Sequence, residues 1–525
     1  MNEPVTSSEG EPLPELSASA KKMNMQRLLS APLPSYESRV PGSFLWTNVA
    51  FWLCRRVSAA QFRTTSSSSH TPLQREGGGA MCCGWHTNGL MDPLGIFLHH
   101  PKEFVVGARH DLVTRPLLSW WTRRLAVQPV VRKAELLRGG CTEEEALHLN
   151  GRSLLALSSG VAHGFGCVLF PEGTSHSESH MIRFKTGPMR TVLAASALAL
   201  ANDLPLPHLV PVGLHFRRRD LFRTDQYIEF AEPLQLTATD VPPPLVEAVK
   251  NGNWVEPPAD AVNSLRDRLR DRLPLHTPDT ASWEEHRALH LTAHVRANRA
   301  NRPLSDWKEE VHAAREVRLA WPGRTSTFPP KPLEGESIEI AKEAANLLDD
   351  AGLDARDLNM NADGLRRSHP SALPSILFKL AMLFTLLPVI LSAYSFQILL
   401  GRLLGDSTDE GLDARTSYQF LAGFFGSLMI WPVVAAGWLM LAVKTQDSFT
   451  AAFGWNWLHL FGGGAMAEVV AMVVFYALCF PVFWWSGMSF AWGWDALVDS
   501  RKAWTRRRMD KQHADRLRAL LSQIN

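Results

Sequence analysis

His86 stands six positions before Asp92 in His86-Thr87-Asn88-Gly89-Leu90-Met91-Asp92, and a second short string reads Phe170-Pro171-Glu172-Gly173-Thr174-Ser175. An imidazole can take a proton from an alcohol near neutral pH, and a nearby carboxylate can hold its ring in one orientation. The second string offers a carboxylate and backbone donors on a glycine turn. Together they suit acyl transfer, where a positioned base on the attacking alcohol contributes typically ~10²–10⁴-fold.

Other chemistries fit less well. A metal site would draw on His86, Asp92, His99, His100 or His110, but their spacing matches no zinc pattern. A serine hydrolase would need a G-x-S-x-G elbow, which the chain lacks. Ser175 and Ser177 on either side of His176 read as a polar turn.

The elements that must position these groups follow from periodicity. AMCCGW, EFVVGA, AVQPVV, GCVLF, HLVPVGLHF and YIEFAEPL are strand-like, and Pro93–His99, Leu117–Leu125, Glu143–Ser159 and Pro188–Ala201 carry helical patterns. This alternation predicts an α/β domain, a central mixed sheet flanked by helices. His86 then follows a strand directly, and Asp92 opens a helix that Pro93 starts.

The 525 residues exceed what one core usually serves. With 54 basic and 52 acidic residues the net charge is +2, which argues against a whole-protein field for nucleic acid. The six cysteines (54, 82, 83, 141, 167, 479) form no CxxC pair, so reduced thiols are expected, with neither zinc site nor disulfide framework. The polar N-terminus is unlike a secretory signal, so membrane targeting is expected from internal segments.

The expected organisation is a disordered segment at 1–43, an interfacial or re-entrant helix at 44–60, a flexible Thr/Ser/Gly linker at 61–79, and the catalytic domain at 80–235. The glycines Gly77-Gly78-Gly79 suggest a mobile approach to the first strand. Residues 236–373 read as a charged, solvated helical region. Its arginines 266, 268, 270 and 272 are candidates for anionic lipid, though Asp267 and Asp271 intersperse them. A C-terminal α-helical membrane domain follows at 374–495, with candidate spans 376–400, 420–443 and 465–494, then a basic tail at 496–525. The third segment contains Pro481 and could be one kinked span or a helical hairpin; basic residues flank both ends of the membrane region, which the positive-inside tendency reconciles with the hairpin.

In their order along the chain these blocks resemble the glycerolipid acyltransferase family. HTNGLMDP looks like its first block, in the variant with five residues between His and Asp associated with fungal- and protist-type glycerol-3-phosphate/dihydroxyacetone-phosphate acyltransferases. VVGARHDL, FPEGTSHSE, RFKTGPMR and LVPVGLHF are similar to the later blocks, and the resemblance runs from about Ala80 to Leu234. The resemblance implies His86 as general base, Asp92 as its orienting partner, and Arg109 and Lys185 as phosphate-binding groups. It also implies that Glu172, Gly173 and Thr174 hold the acceptor or shape its turn.

The implied enzyme is a multi-pass membrane protein of the endoplasmic reticulum with a cytosolic catalytic domain. It uses acyl-CoA as co-substrate, needs no other cofactor, and acylates the sn-1 hydroxyl of glycerol 3-phosphate or dihydroxyacetone phosphate. The competing readings are a lysophosphatidate or lysophospholipid acyltransferase and a catalytically silent lipid-binding adaptor. Trp85 departs from the family, many members of which carry a small polar residue before the histidine; its indole could narrow the pocket or pack against the sheet.

Overall fold

A computed structural model of the chain describes residues 23–131, 141–250, 252–367, 373–406 and 412–524. Residues 1–22 of the expected disordered N-terminal segment lie outside them.

The apolar runs become the strands of a seven-stranded mixed sheet. Its order is β1 (Phe62–Ser69), β8 (Thr224–Phe230), β7 (His208–Phe216), β2 (Ala80–Gly84), β6 (Gly166–Val168) and β3 (Phe104–Val105), with β9 (Leu234–Gln235) alongside β7. Pairing is parallel except where β7 meets β8 and β9. The central strand β2 is buried along its whole length, as expected of a strand covered on both faces. Helices Glu143–Ala162 and Gly187–Ala201 pack apolar faces on the sheet, placing Leu157, Val161, Met189 and Val192 in its core. A separate parallel pair joins β4 (Gly107–Arg109) to β5 (Gln128–Val130).

Several expectations need correction. The segment 61–79 is not a linker, because β1 pairs with β8 from Phe62 to Ser69. As an edge strand it needs no apolar pattern, and side-chain bonds from Thr64 to Asp225 (2.7 Å) and between Ser68 and Tyr227 (2.5 Å) fix it. Nor are the glycines ahead of β2 loosely held. A Cβ on Gly78 would run into the Leu206 carbonyl, and one on Gly79 into that of Val161. Residues 23–43 are not devoid of structure: Leu28 and Ala31 are buried against Val113, Val127 and Leu149.

The charged helical region is no solvated appendage. Trp283–Arg299, Trp307–Leu319 and Glu336–Asp350 build a second core, and Trp307 docks on the sheet with its Nε1–H donating to the His215 carbonyl (3.1 Å). The basic tail joins this core, since helix Lys511–Gln523 buries Leu517, Leu520 and Leu521 in it. The Arg266–Arg272 run is largely neutralised, with Arg266 on Asp267, Arg268 on Asp240 and Arg272 on Glu232.

Among the described residues three helices are long and apolar enough to cross a membrane, Leu387–Asp406, Arg415–Lys444 and Ala465–Arg508, and they mark the chain as membrane-associated. The last is one continuous helix of 44 residues rather than a hairpin; Pro481 is accommodated within it, as membrane helices allow where neighbours support the backbone. The first candidate span is instead interrupted, and helix Leu373–Thr385 precedes Leu387–Asp406. Pro388 accounts for the break, since its ring and missing N–H disrupt the preceding turn. Helix Phe44–Gln61 lies against Phe420 and Phe424 of the second long helix, through Ala50 and Leu53.

Candidate active site

The loop after β2 carries His86, and the helix Met91–His99 carries Asp92 in its first turn. The His86 Nδ1 lies 2.9 Å from Asp92 Oδ2. That same oxygen accepts the backbone N–H groups of Thr87 (2.8 Å) and Asn88 (2.7 Å). Asp92 is fully buried, and its Oδ2 is where two backbone donors and the imidazole meet. With a carboxylate oxygen as acceptor, the ring would donate through Nδ1 and leave Nε2 with its lone pair. The ring is also clamped by Phe170, stacked at 4.1 Å and 7°. Its side chain retains 19% exposure, enough for a substrate to reach it.

Glu172 ties the second string to the first. Its Oε2 accepts the His86 backbone N–H (2.7 Å), while Oε1 accepts that of Ile182 (3.0 Å) and meets His176 Nε2 (2.7 Å). With both oxygens engaged and no exposure, its geometry suits shaping the turn rather than touching an acceptor. Gly173 takes φ +68°, and a Cβ there would press on the Lys185 stem at 2.9 Å, so the glycine lets Lys185 lie over the turn. The Lys185 backbone N–H donates to Pro171 (2.6 Å), and its side chain is exposed. Thr174 is half-buried on the same turn.

Arg109 ends β4, in the two-stranded sheet rather than the main one. Its Nε and a terminal nitrogen donate to the two oxygens of Asp111 (2.5 and 2.8 Å). Burial opposes charge on Asp111, but Arg109 and Arg115 outweigh it and hold the carboxyl below its usual range. A phosphate at Arg109 would compete with this carboxylate.

Several contributors were not picked out from sequence. His176, read as part of a polar turn, is the Glu172 partner at i+4, a spacing visible in the string itself. Arg219 donates to the carbonyls of Thr87 (3.0 Å) and His176 (3.1 Å), closing the first block onto the third. From the membrane helix, Thr416 donates to the Asn88 side-chain oxygen and Ser417 accepts the Leu90 N–H (2.9 Å). Trp85 packs rather than narrowing the approach: it is buried beside Trp283, and its Nε1–H donates to the Leu214 carbonyl (2.9 Å). Of the other histidines, His99 bonds the Gly95 carbonyl of its own helix and His100 accepts the Lys102 N–H.

A mixed α/β sheet presenting an oriented imidazole beside membrane helices defines an acyltransferase-type site. The family model described as Acyltransferase matches residues 52–215. Glycerol-3-phosphate O-acyltransferase 2 of Saccharomyces cerevisiae is 31% identical over 140 residues, which is 26% of this chain and 17% of that protein. The chain thus spans about a sixth of the length of that relative in the matched region. The crystal structure of PlsC, the 1-acyl-sn-glycerophosphate (LPA) acyltransferase of Thermotoga maritima, aligns at 14% identity with a TM-score of 0.27, covering 42% of this chain and 81% of that one. Residues 52–215 thus match an acyltransferase family model, and part of that region is similar to a glycerol-3-phosphate acyltransferase.

Proposed function

We propose that the protein transfers a fatty acyl group from acyl-CoA to the sn-1 hydroxyl of glycerol 3-phosphate, dihydroxyacetone phosphate or both. This would be an early step of phospholipid and triacylglycerol synthesis. The observation that carries the reading is the His86–Asp92 pair, in which Nδ1 lies 2.9 Å from the buried Asp92 oxygen, an arrangement that would leave Nε2 to take a proton. The likeness to the yeast enzyme and the five-residue spacing support a small polar acceptor.

In the proposed step, Nε2 of His86 takes the acceptor's hydroxyl proton as its oxygen attacks the thioester carbonyl. The new C–O bond forms, the C–S bond breaks, and the imidazolium returns its proton to the departing thiolate. No acyl-enzyme is required, and no cofactor beyond the acyl-CoA co-substrate. Asp92 stabilises the transient imidazolium. Arg109 and Lys185 are the proposed phosphate partners. Leu90, Met91 and Leu94 join an apolar seam with Leu53, Phe420 and Phe424, which supports an acyl chain arriving along the membrane helices. Although the third segment is no hairpin, the flanking Arg366, Arg367, Arg506 and Arg507 meet at one cavity, which supports a single, cytosolic face for both flanks, and lipid synthesis supports the endoplasmic reticulum.

The test is an acceptor panel. Membranes containing the protein receive labelled acyl-CoA with glycerol 3-phosphate, dihydroxyacetone phosphate or lysophosphatidate. Product with either of the first two is expected. Product with lysophosphatidate alone would replace this reading by its lysolipid alternative, and no ester with any acceptor would leave the lipid-binding adaptor.

A further inference from the structure

A second concave site lies far along the chain from His86, where the membrane helices meet the helical region. A cavity of about 680 Å³ opens between Gly364–Arg367, the last turns of helix Ala465–Arg508 and the start of helix Lys511–Gln523. Six cationic side chains line it, Arg366, Arg367, Arg506, Arg507, Lys511 and Arg518, against one carboxylate, Asp515.

The charges do not cancel. Arg518 pairs with Asp515 (2.7 Å), and Arg506 donates to the buried Asp357. Asp357 also faces Lys502 (3.3 Å), so Arg366, at 3.9 Å, shares a carboxylate already taken. Arg367, Arg507 and Lys511 are exposed and form no ion pair among the described residues. Cations that merely mark one side of a membrane can splay into water; these line a concavity together with Leu365, Met509 and Leu517.

Its position restricts the ligand. Arg507 follows the exposed Trp504 by three residues, about 4.5 Å along a helix, and interfacial tryptophans sit at headgroup level. Arg367 precedes by six residues the apolar helix Leu373–Thr385, whose Leu373, Leu377 and Phe378 are all more than half exposed. A basic pocket beside emerging membrane helices, with a volume in the range of ligand sites, suits a phosphorylated headgroup, which guanidinium groups bind through paired donors.

We propose that this cavity binds the phosphate-bearing headgroup of an anionic lipid in the leaflet where these helices emerge. The site is independent of the proposed acyl transfer.

The test uses the full-length protein in non-ionic detergent, titrated with mixed micelles of phosphatidylinositol phosphate, with phosphatidylcholine micelles, and with inorganic diphosphate. Saturable binding of the phosphoinositide is expected, with none of phosphatidylcholine. The variant Arg367→Gln/Arg507→Gln/Lys511→Gln should bind it at least about tenfold more weakly. Arg367→Lys/Arg507→Lys keeps the charge but loses the paired donors, so its affinity should fall between those of the wild type and the glutamine variant. Wild-type affinity in the glutamine variant would overturn the site. Diphosphate binding as tight as the lipid would overturn the lipid source and assign a soluble anion. Unchanged melting and unchanged acyl transfer in neutral micelles identify a weaker-binding variant as folded.

Discussion

The Thr416 hydroxyl, in the first turns of a membrane helix, donates to the side-chain oxygen of Asn88, two residues after His86. Both residues are buried, and the Asn88 backbone N–H in turn donates to the Asp92 oxygen that holds the imidazole (2.7 Å). A continuous chain of hydrogen bonds therefore runs from the membrane helix to the proposed base. Thr416→Val combined with Ser417→Ala should loosen the loop without removing any group that meets substrate. Misplacement of about an ångström at a reacting centre can cost ~10²-fold. We expect kcat to fall by about ten- to a hundredfold, with little change in KM for either substrate, measured on membrane fractions containing equal amounts of protein.

His86 and Asp92 should be inseparable in function. Asp92→Asn cannot accept all three donors as a carboxylate does, and it favours the wrong imidazole tautomer. Acyl transfer by His86→Ala and by Asp92→Asn should each fall by ~10²–10⁴-fold, and the double variant should fall little further. Near-normal turnover by His86→Ala would remove this mechanism while leaving the fold intact.

The parts of the site that were legible in sequence are those compressed into short strings. His86, Asp92 and Glu172 stand beside β2 and β6, whose apolar residues announce buried strands. The remainder depends on encounters between distant segments. Thr416 and Ser417 meet the loop from more than 300 residues away, and nothing local distinguishes them from other small polar residues at a helix start. Arg219 sits in a run of three arginines that reads as surface charge, yet it bridges two motif carbonyls. The strand β1 was hidden because an edge strand can be polar on most positions when backbone pairing and hydroxyl bonds hold it. Pro481 invited a hairpin, whereas packing of Tyr394 and Trp431 on Phe483 supports one unbroken helix.

Glu172 provides a test of positioning against binding. Its two oxygens accept the backbone N–H groups of His86 and Ile182, so Glu172→Gln sets an amide donor against one of them. A buried donor left unpaired costs about 1–3 kcal/mol, more where a charge was involved. The melting temperature and kcat should both fall, while KM for the phosphate acceptor stays within about threefold. A large rise in that KM at unchanged stability would place Glu172 on the substrate instead.

Stability should fall on mild acidification. Burial holds the imidazoles of His100 and His215 neutral, pushing each down to about 4; the Lys102 charge adds to this at His100, while Glu229 opposes it at His215. An unfolded histidine titrates near 6.5, so between these values the unfolded chain binds more protons than the folded one. The stability present at neutral pH is therefore lost as pH falls through that window, by about 2 kcal/mol per imidazole at pH 5. Thermal unfolding in detergent should show a falling midpoint from pH 7 to 5. His100→Gln should flatten the slope, and an unchanged slope would show that its neutrality is not what acid disrupts.

A buried ion pair helps dock the catalytic domain on the last membrane helix, beside the Arg63–Asp499 pair and the packing of Phe222 on Phe490 and Trp494. Arg223 reaches Asp495 through Nε (3.0 Å) and a terminal nitrogen (2.7 Å), and both side chains are less than 10% exposed. The same guanidinium donates to the carbonyls of Ala59 (3.0 Å), Ala60 (3.2 Å) and Phe62, fastening the turn between helix Phe44–Gln61 and β1. Breaking such a pair on one side strands a charge and costs about 3–5 kcal/mol, whereas replacing both partners by apolar groups is often close to neutral. Arg223→Met should therefore lower the melting temperature and raise protease sensitivity near residues 59–63. Arg223→Met/Asp495→Leu should recover part of the melting temperature, but not the protection of that turn, because the carbonyls remain without their donor. Equal recovery of both would show that the ion pair alone holds the junction.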